Sequence, residues 1–311
     1  MKQRLNNPVI YIVGPTASGK TGLSVSLAEI YGGEIICGDS MQIYKNMPVA
    51  TAAPTQEEMK NVNHRMFEFL DPEVKFSVSE YVKTAKAEIE KVKSLGKLPF
   101  VVGGTGLYIT SLAENINFGE ENDDPKIRNK LEESFELLGK ENLYNKLKEV
   151  DPVSTEKISV NDKKRIIRAL EVYYTSGETL SNRVLHSKEG GKIYDNIFIG
   201  VTYKDRQKLY ERINQRVDIM VQNGLVAEAE KALRISGKTS AQAIGHKELK
   251  GYFDGDLSLD EALEHLKMQT RRYAKRQLTW FNRNNDINWI YMDETDNPVS
   301  EAEKIINSKL Y

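Results

Sequence analysis

The strongest constraint on this chain lies near its start. The apolar run Val9–Val13 is followed at once by Gly14-Pro-Thr-Ala-Ser-Gly-Lys-Thr21, and then by Leu23, Leu27 and Ile30 at helical spacing. Five consecutive apolar residues read as a strand buried on both faces, and the later spacing reads as the inner face of a helix. Between them stands a complete G-x-x-x-x-G-K-T in the strand-loop-helix setting that the motif requires. Gly14 and Gly19 permit backbone conformations and close approaches that a Cβ would block, so the loop Gly14–Gly19 (Gly14, Pro15, Thr16, Ala17, Ser18, Gly19) can wrap a diphosphate and turn its N–H groups, of which Pro15 has none, toward phosphate oxygens at a helix N-terminus. Lys20 adds a full positive charge and Thr21 a hydroxyl suited to Mg²⁺. The expected fold is therefore α/β: a P-loop NTPase-like parallel sheet flanked by helices.

Such loops mostly bind ATP or GTP, so a kinase or NTPase is the first reading. An NTPase usually adds an apolar strand ending in an Asp that serves the magnesium shell. The best later strand, Leu98–Val102, runs instead into Gly103-Gly-Thr-Gly-Leu-Tyr108. The nearest acid is Asp39, closing Glu34-Ile-Ile-Cys-Gly-Asp-Ser40. In a doubly wound sheet the carboxyl ends of neighbouring strands share one crevice, which predicts that Asp39 and Thr105 both face the phosphate loop. A carboxylate there suits a base acting on an acceptor; a turn or helix N-cap is the alternative. The Gly103–Gly106 turn also reads as a tight strand-to-helix connection. Cys37 reads as a small buried strand residue.

Composition removes other classes. One cysteine cannot form an internal disulfide, and His64, His186, His246 and His265 lie far apart, against a structural zinc site. The apolar run Val9–Val13 is too short for a signal-peptide core or a membrane span, so no membrane and a reducing cytoplasm are expected. The balance of 44 basic against 45 acidic residues weighs against a nucleic-acid partner. Locally the balance breaks. Leu263–Arg283 carries Lys267, Arg271, Arg272, Lys275, Arg276 and Arg283 against the single acid Glu264. On a helix Arg272, Lys275, Arg276, Thr279 and Arg283 form one stripe, while Ala274, Leu278 and Phe281 form another. Lys163, Lys164, Arg165 and Arg168 make a second patch, with Arg128 outlying, and acids such as those of 120–124 offset both. Basic helix faces are also often plain solvated surface.

Residues 117–192 show helical periodicity and no strand-like run, as in Ile127, Leu131, Phe135 and Leu138, or Ile166, Ala169, Leu170 and Tyr173. Asn196–Thr202 then returns as an apolar strand. The expectation is a discontinuous core domain, 1–116 with 193–311, carrying an inserted all-helical domain at 117–192.

Several segments together resemble the tRNA dimethylallyltransferases: Gly14–Thr21, Asp39-Ser-Met-Gln-Ile-Tyr-Lys-Asn-Met47 with Thr51-Ala-Ala-Pro54, Val102–Tyr108, Asn161–Val172, Ala243–Glu248 and Thr270–Trp280. They occur in family order and cover nearly the whole chain. The resemblance implies transfer of a dimethylallyl group from its diphosphate to N6 of the adenosine just 3′ of the anticodon, in tRNAs reading codons that begin with U. The loop would then hold a diphosphate that leaves, and the missing Asp is no longer a puzzle. It implies Asp39 as base, Thr105 near the reacting base, and Arg216 as the diphosphate contact on a helix that also carries Arg212. Thr21 would hold Mg²⁺. For the tRNA anticodon stem-loop it implies Asp39, Ser40, Met41, Gln42, Thr105, Arg128, Lys164, Arg165, Arg168, Gly245, Lys247, Arg272, Lys275, Arg276, Gln277, Thr279 and Trp280. His246 stands where the family commonly has Tyr, and Asn282 where it often has Arg. No zinc-finger extension is expected after Trp289, as in the bacterial form, and a monomer is expected. An adenylate isopentenyltransferase, acting on a free nucleotide, shares the core pattern; the inserted domain and basic helix favour tRNA.

Overall fold

The alternation of short apolar runs with amphipathic stretches produces a parallel sheet, because each crossover carries the chain back to the end of the sheet from which the previous strand started. A computed structural model describes residues 5–119, 124–235 and 243–310. Along the chain these form β1 (Pro8–Val13), α1 (Lys20–Tyr31), β2 (Glu34–Cys37), α2 (Pro48–Thr51), α3 (Gln56–Met59), β3 (His64–Arg65), α4 (Val78–Ser94), β4 (Pro99–Gly103) and α5 (Gly106–Ala113). Then come α6 (Pro125–Leu138), α7 (Lys140–Val150), α8 (Pro152–Thr155), α9 (Lys163–Ser176) and α10 (Leu180–His186). The chain continues with β5 (Asp195–Thr202), α11 (Arg206–Gln222), α12 (Leu225–Ile235), α13 (His246–Phe253), α14 (Leu259–Phe281), β6 (Ile287–Tyr291) and α15 (Pro298–Leu310).

Two compact units result: Met1–Ala113 with Ile193–Tyr311, and Glu114–Lys192. The first holds a six-stranded sheet in the order β3-β2-β4-β1-β5-β6, all pairs parallel. β1 lies inside it, with Ile10 opposite Phe100 on one side and Ile197 on the other. Both faces are buried, as the unbroken apolar run requires. Ile10, Ile12, Phe100 and Ile199 pack under Leu23 and Leu27 of α1 and Ile306 of α15, while Tyr11 points the other way and stacks on Phe198 at 4.8 Å. The expected α/β parallel sheet is therefore what the chain forms.

Two apolar readings need correction. Ile30 is 51 % exposed, because the buried face of α1 passes through Leu27, Ala28 and Tyr31 and leaves Ile30 on its flank. Leu138 is 58 % exposed: it is the last residue of α6, where the cover over that helix ends.

Among the described residues, every regular element of the second unit is a helix. Leu131, Leu143, Leu147, Ile166 and Leu170 fill its core. Asp124 caps α6 by accepting from the Lys126 N–H at 2.8 Å; the rest of the acidic stretch, 120–123, lies outside the described residues. α9 buries a carboxylate, Glu171, that periodicity had not marked: it pairs with Arg128 at 3.1 Å and Arg168 at 3.0 Å.

Candidate active site

Three strand ends converge in the first unit. The phosphate loop leaves β1, Gly38 and Asp39 leave β2, and Gly103–Thr105 leave β4. Gly14 has φ +146°, and a Cβ there would come within 2.2 Å of the Val201 carbonyl oxygen, so that position admits only glycine. Gly19, at φ +96°, turns the chain into α1. Ala17 is also left-handed, φ 62°, a conformation costly for a residue with a Cβ and held here from outside: its carbonyl accepts from Arg212 Nε at 3.1 Å.

Around the loop opens a cavity of about 580 Å³ lined by Thr16–Thr21, Asp39, Ser40, Met41 and Gln42, by Ala50–Ala52, and by side chains of α11 and α14. Lys20, Arg212 and Arg216 bring cations to it from the loop and α11, and Lys247 and Arg276 line it as well. Lys20 Nζ donates to the Pro15 carbonyl at 2.6 Å. Its pKa is drawn down to about 7, by burial first and the Arg216 charge second, with Asp39 opposing. Burial also lowers the Arg216 pKa against the pull of Asp39 and Glu58, and its Nη2 donates to the Ala52 carbonyl at 3.1 Å. Two desolvated cations side by side make a site in want of an anion. Ser18, fully buried on the same wall, has a hydroxyl with no partner among the described residues.

Asp39 lines the cavity and accepts from the Met41 N–H at 2.9 Å through Oδ1. That is the turn geometry weighed as its alternative role; Oδ2 takes no hydrogen bond among the described residues, so the turn leaves half the carboxylate for a substrate. Cys37 exchanges hydrogen bonds with the Asp39 backbone, its Sγ accepting from N at 3.4 Å and donating to O at 3.6 Å; burial and the Asp39 charge push its thiol pKa up, and it stays protonated. Thr105 stands one step back from the cavity. Its Oγ1 accepts from the Ser40 N–H at 2.9 Å and donates to Ser40 Oγ at 3.2 Å.

The remaining expected residues divide by exposure. Arg272, Lys275, Arg276 and Thr279 are exposed on α14, and Arg276 also lines the cavity; Arg283 is exposed too but lies in the turn after the helix ends at Phe281, outside the expected stripe. Lys267 and Arg271, from the same basic run, are engaged with Asp218 at 2.9 Å and Asn214 at 2.7 Å. Lys247, Lys164 and Arg165 are exposed. Arg128 and Arg168 serve Glu171 as described. Gln42 Nε2 donates to the Thr51 and Ala52 carbonyls at 3.1 and 3.2 Å. Trp280 Nε1 donates to Thr110 Oγ1 at 3.0 Å.

Gln277 and Gly245 are buried with internal duties. Gln277 sits in the apolar stripe between Ala274 and Phe281, 5 % exposed, with both ends of its amide bonded to backbone near the phosphate loop. Gly245 abuts α2, where a Cβ would come within 3.2 Å of Ala50 Cβ. Sequence reasoning had not picked out Tyr273, an aromatic of the cavity wall four residues before Gln277; burial and the Asp39 charge raise its pKa, and its hydroxyl interacts with Thr105 and Gln277. Its spacing on α14 from Arg276 and Gln277 was the available signal. His246 is buried and bonded to Glu228, so its ring faces inward.

The chain as a whole is similar to known proteins. The IPP transferase family matches residues 42–284. A tRNA dimethylallyltransferase of Caldanaerobacter subterraneus subsp. tengcongensis is 47 % identical over 290 residues, 92 % of each chain. That of Bacillus subtilis is 46 % identical over 287 residues, 92 % of this chain and 91 % of the relative. Among solved structures, the full-length tRNA isopentenylpyrophosphate transferase of Bacillus halodurans superposes with TM-score 0.73 at 40 % identity, covering 98 % of this chain and 97 % of that one. A eukaryotic dimethylallyltransferase acting on tRNA gives TM-score 0.80 at 28 % identity, covering 97 % of this chain and 79 % of that one.

Proposed function

The chain belongs to the IPP transferase family, and from that premise we propose that it transfers a dimethylallyl group from dimethylallyl diphosphate to N6 of the adenosine 3′-adjacent to the anticodon, in tRNAs reading codons that begin with U. The products are N6-isopentenyladenosine and diphosphate. The observation that carries the reading is the sharing of one cavity by the Asp39 carboxylate and the cations Lys20 and Arg216.

The adenine amine attacks C1 of the dimethylallyl group, and the C1–O bond breaks with its electron pair leaving on the diphosphate. The proton released from N6 as the new C–N bond forms passes to Asp39, since an exocyclic amine is a weak nucleophile that becomes acidic only in that step. Negative charge grows on the departing diphosphate, where the loop N–H groups, Lys20 and Arg216 meet it. Arg212 holds the loop's strained residue, Ala17, by its carbonyl. Thr105 orients Ser40 beside Asp39.

Thr21 lines the cavity with a hydroxyl unbonded among the described residues, where no group of three or more His, Cys, Asp or Glu could hold a metal. That donor set fits a Mg²⁺ held by Thr21, diphosphate oxygens and water. When bound, such an ion would neutralise charge on the leaving group.

The exposed cations Arg272, Lys275 and Arg276 of α14, and Lys164 and Arg165 of α9, would meet the anticodon stem-loop, Lys247 joining them. No described helix is long and apolar enough to cross a membrane, and the reading implies a cytoplasmic enzyme acting as a single copy. The test is incorporation of labelled dimethylallyl diphosphate into unmodified tRNA, with the modified base located afterwards and AMP offered as a rival acceptor. Wild-type chain should label the tRNA and not AMP, and Asp39→Ala should keep tRNA binding while losing transfer. Labelling of AMP alone would reassign the acceptor.

A further inference from the structure

α2 is a single turn, Pro48–Thr51, that forms part of the cavity wall; Thr51 Oγ1 donates to the Met47 carbonyl at 2.8 Å and Gln42 Nε2 to the Thr51 and Ala52 carbonyls, but no side chain of the turn caps its N-terminus. Its N-cap is Met47, whose side chain makes no capping hydrogen bond, and Pro48 has no N–H to offer. The first free donors of the turn are therefore the N–H groups of Val49 and Ala50. Both go to one carboxylate from far along the chain: Glu228 of α12 accepts from Val49 N at 2.9 Å through Oε2 and from Ala50 N at 2.8 Å through Oε1. Glu228 is itself held. His246, fully buried at the start of α13, has Nε2 3.0 Å from Glu228 Oε1; a carboxylate oxygen facing two donors accepts from both, so Nε2 carries the proton. Gly245 lets the α13 backbone approach Ala50 closely enough for this.

The other end of α2 faces the chemistry. Ala52 ends it in a left-handed conformation, φ 45°, and its carbonyl accepts from Arg216 Nη2 at 3.1 Å. That is the one hydrogen bond Arg216 makes among the described residues. An unbroken line of contacts runs from His246 through Glu228, the N-terminus of α2 and the Ala52 carbonyl to the Arg216 guanidinium.

We propose that Glu228, seated by His246, is a positioning residue for Arg216, capping α2 from outside so that the Ala52 carbonyl holds the guanidinium at the diphosphate site. This rests on the reading of Arg216 as the diphosphate contact. Neither residue touches substrate; both act through the placement of α2. A carboxylate against two backbone donors also complements the positive end of the turn, which a neutral amide does only in part.

The experiment compares Glu228→Gln, His246→Phe and His246→Gln in the full chain, each also in an Arg216→Ala background, in steady-state transfer and in calorimetric titration with inorganic pyrophosphate. Glu228→Gln keeps size but loses one acceptor, and should raise the KM for dimethylallyl diphosphate and the Kd for pyrophosphate roughly tenfold, the scale of one hydrogen bond to a charged group, with the KM for tRNA unchanged. His246→Phe should raise them by about fivefold, and His246→Gln, which can still donate to Glu228, should restore them to within about twofold of wild type. In the Arg216→Ala background the same changes should add less than about twofold, because residues acting in series are not additive. Wild-type pyrophosphate affinity in Glu228→Gln, or equal effects with and without Arg216, overturns the proposal. Should Glu228→Gln not fold, the His246 pair decides it, since both backbone bonds to Glu228 remain. Pyrophosphate binding separates the two levels: if wild type binds it but does not prenylate tRNA, the proposed reaction fails, and the link to Arg216 is still decided by the Kd values.

Discussion

Gln277 binds Thr16 across 261 residues of sequence: its Oε1 accepts from the Thr16 N–H at 2.9 Å, while its Nε2 donates to the Gly104 carbonyl at 2.9 Å. One buried amide thus joins the phosphate loop after β1 to the glycine turn after β4. Gly104 permits the approach, since a Cβ there would come within 2.1 Å of the amide nitrogen. Gln277→Met preserves length and removes both bonds, leaving a donor and an acceptor without partners. The expected result is a loss of about 2–4 kcal/mol in unfolding free energy by chemical denaturation, two unmet buried groups at 1–3 kcal/mol each with partial relaxation. Pyrophosphate affinity should fall with it, because the loop N–H of Thr16 loses its anchor.

Lys20 gives the site a pH dependence whose sign follows from the direction of its shift. Its pKa is about 7 in the folded chain against a usual 10.5, chiefly through burial, with Arg216 adding to the shift. Between those values the unfolded chain binds the extra proton, so this group's contribution makes stability rise with pH across that window, with the full penalty present below about 7. Diphosphate reverses the preference by pairing with the charged amine. Pyrophosphate binding should therefore take up a proton near and above pH 7, seen as a dependence of calorimetric enthalpy on the buffer's ionisation heat, and its affinity should weaken as pH rises. Lys20→Arg should abolish the Lys20 part of that uptake.

How much of this could be read without coordinates follows from the kind of signal each residue leaves. Val9–Val13 and the loop glycines are local patterns, and each occupies the expected element; Leu209, Ile213, Val217 and Met220, likewise at helical spacing, are the buried face of α11. Glu171, Glu228 and Gln277 left no such mark. Each is a polar residue on a buried helix face whose partners are held by the fold: Arg128 for Glu171, the α2 backbone for Glu228, Thr16 and Gly104 for Gln277. A buried polar group is stable only with its partner in place; Arg168 stands one turn before Glu171, but the partners supplied by other elements leave no signal within a helical turn. The short α2, α3 and β3 fall below any periodic window as well, yet α2 supplies the carbonyl that holds Arg216.

In the helical unit, stability and tRNA contact should separate by residue. Arg128 and Arg168 both pair with the buried Glu171, whereas Lys164 is exposed on α9. Arg128→Ala leaves the carboxylate with one cation fewer and should lower the unfolding free energy by about 1–2 kcal/mol, the net worth of a hydrogen bond to a charged group at a partly exposed site. Lys164→Ala should leave the melting temperature unchanged and weaken tRNA binding, with a shallower salt dependence from one fewer phosphate contact. A Lys164→Ala variant with wild-type affinity and salt slope would remove it from the tRNA surface.

The α5–α14 contact should respond to a volume change made in two steps. Gly106 opens α5, and a Cβ there would lie 2.3 Å from Trp280 Cδ1, closer than any real contact allows. The indole cannot simply yield, because Nε1 is bonded to Thr110 Oγ1 at 3.0 Å and the ring packs where α14 brings Gln277 to the phosphate loop. Gly106→Ala should therefore cost about 1–3 kcal/mol, the usual range for overpacking, and weaken pyrophosphate binding through the displaced Gln277. Trp280→Leu makes room and forfeits the Thr110 bond, so alone it should also destabilise. Together the two should destabilise less than the sum of the single changes, since the added methyl then occupies space the indole has left. Strictly additive free energies from denaturation would mean that the methyl is accommodated elsewhere, and that Gly106 is glycine for a reason other than Trp280.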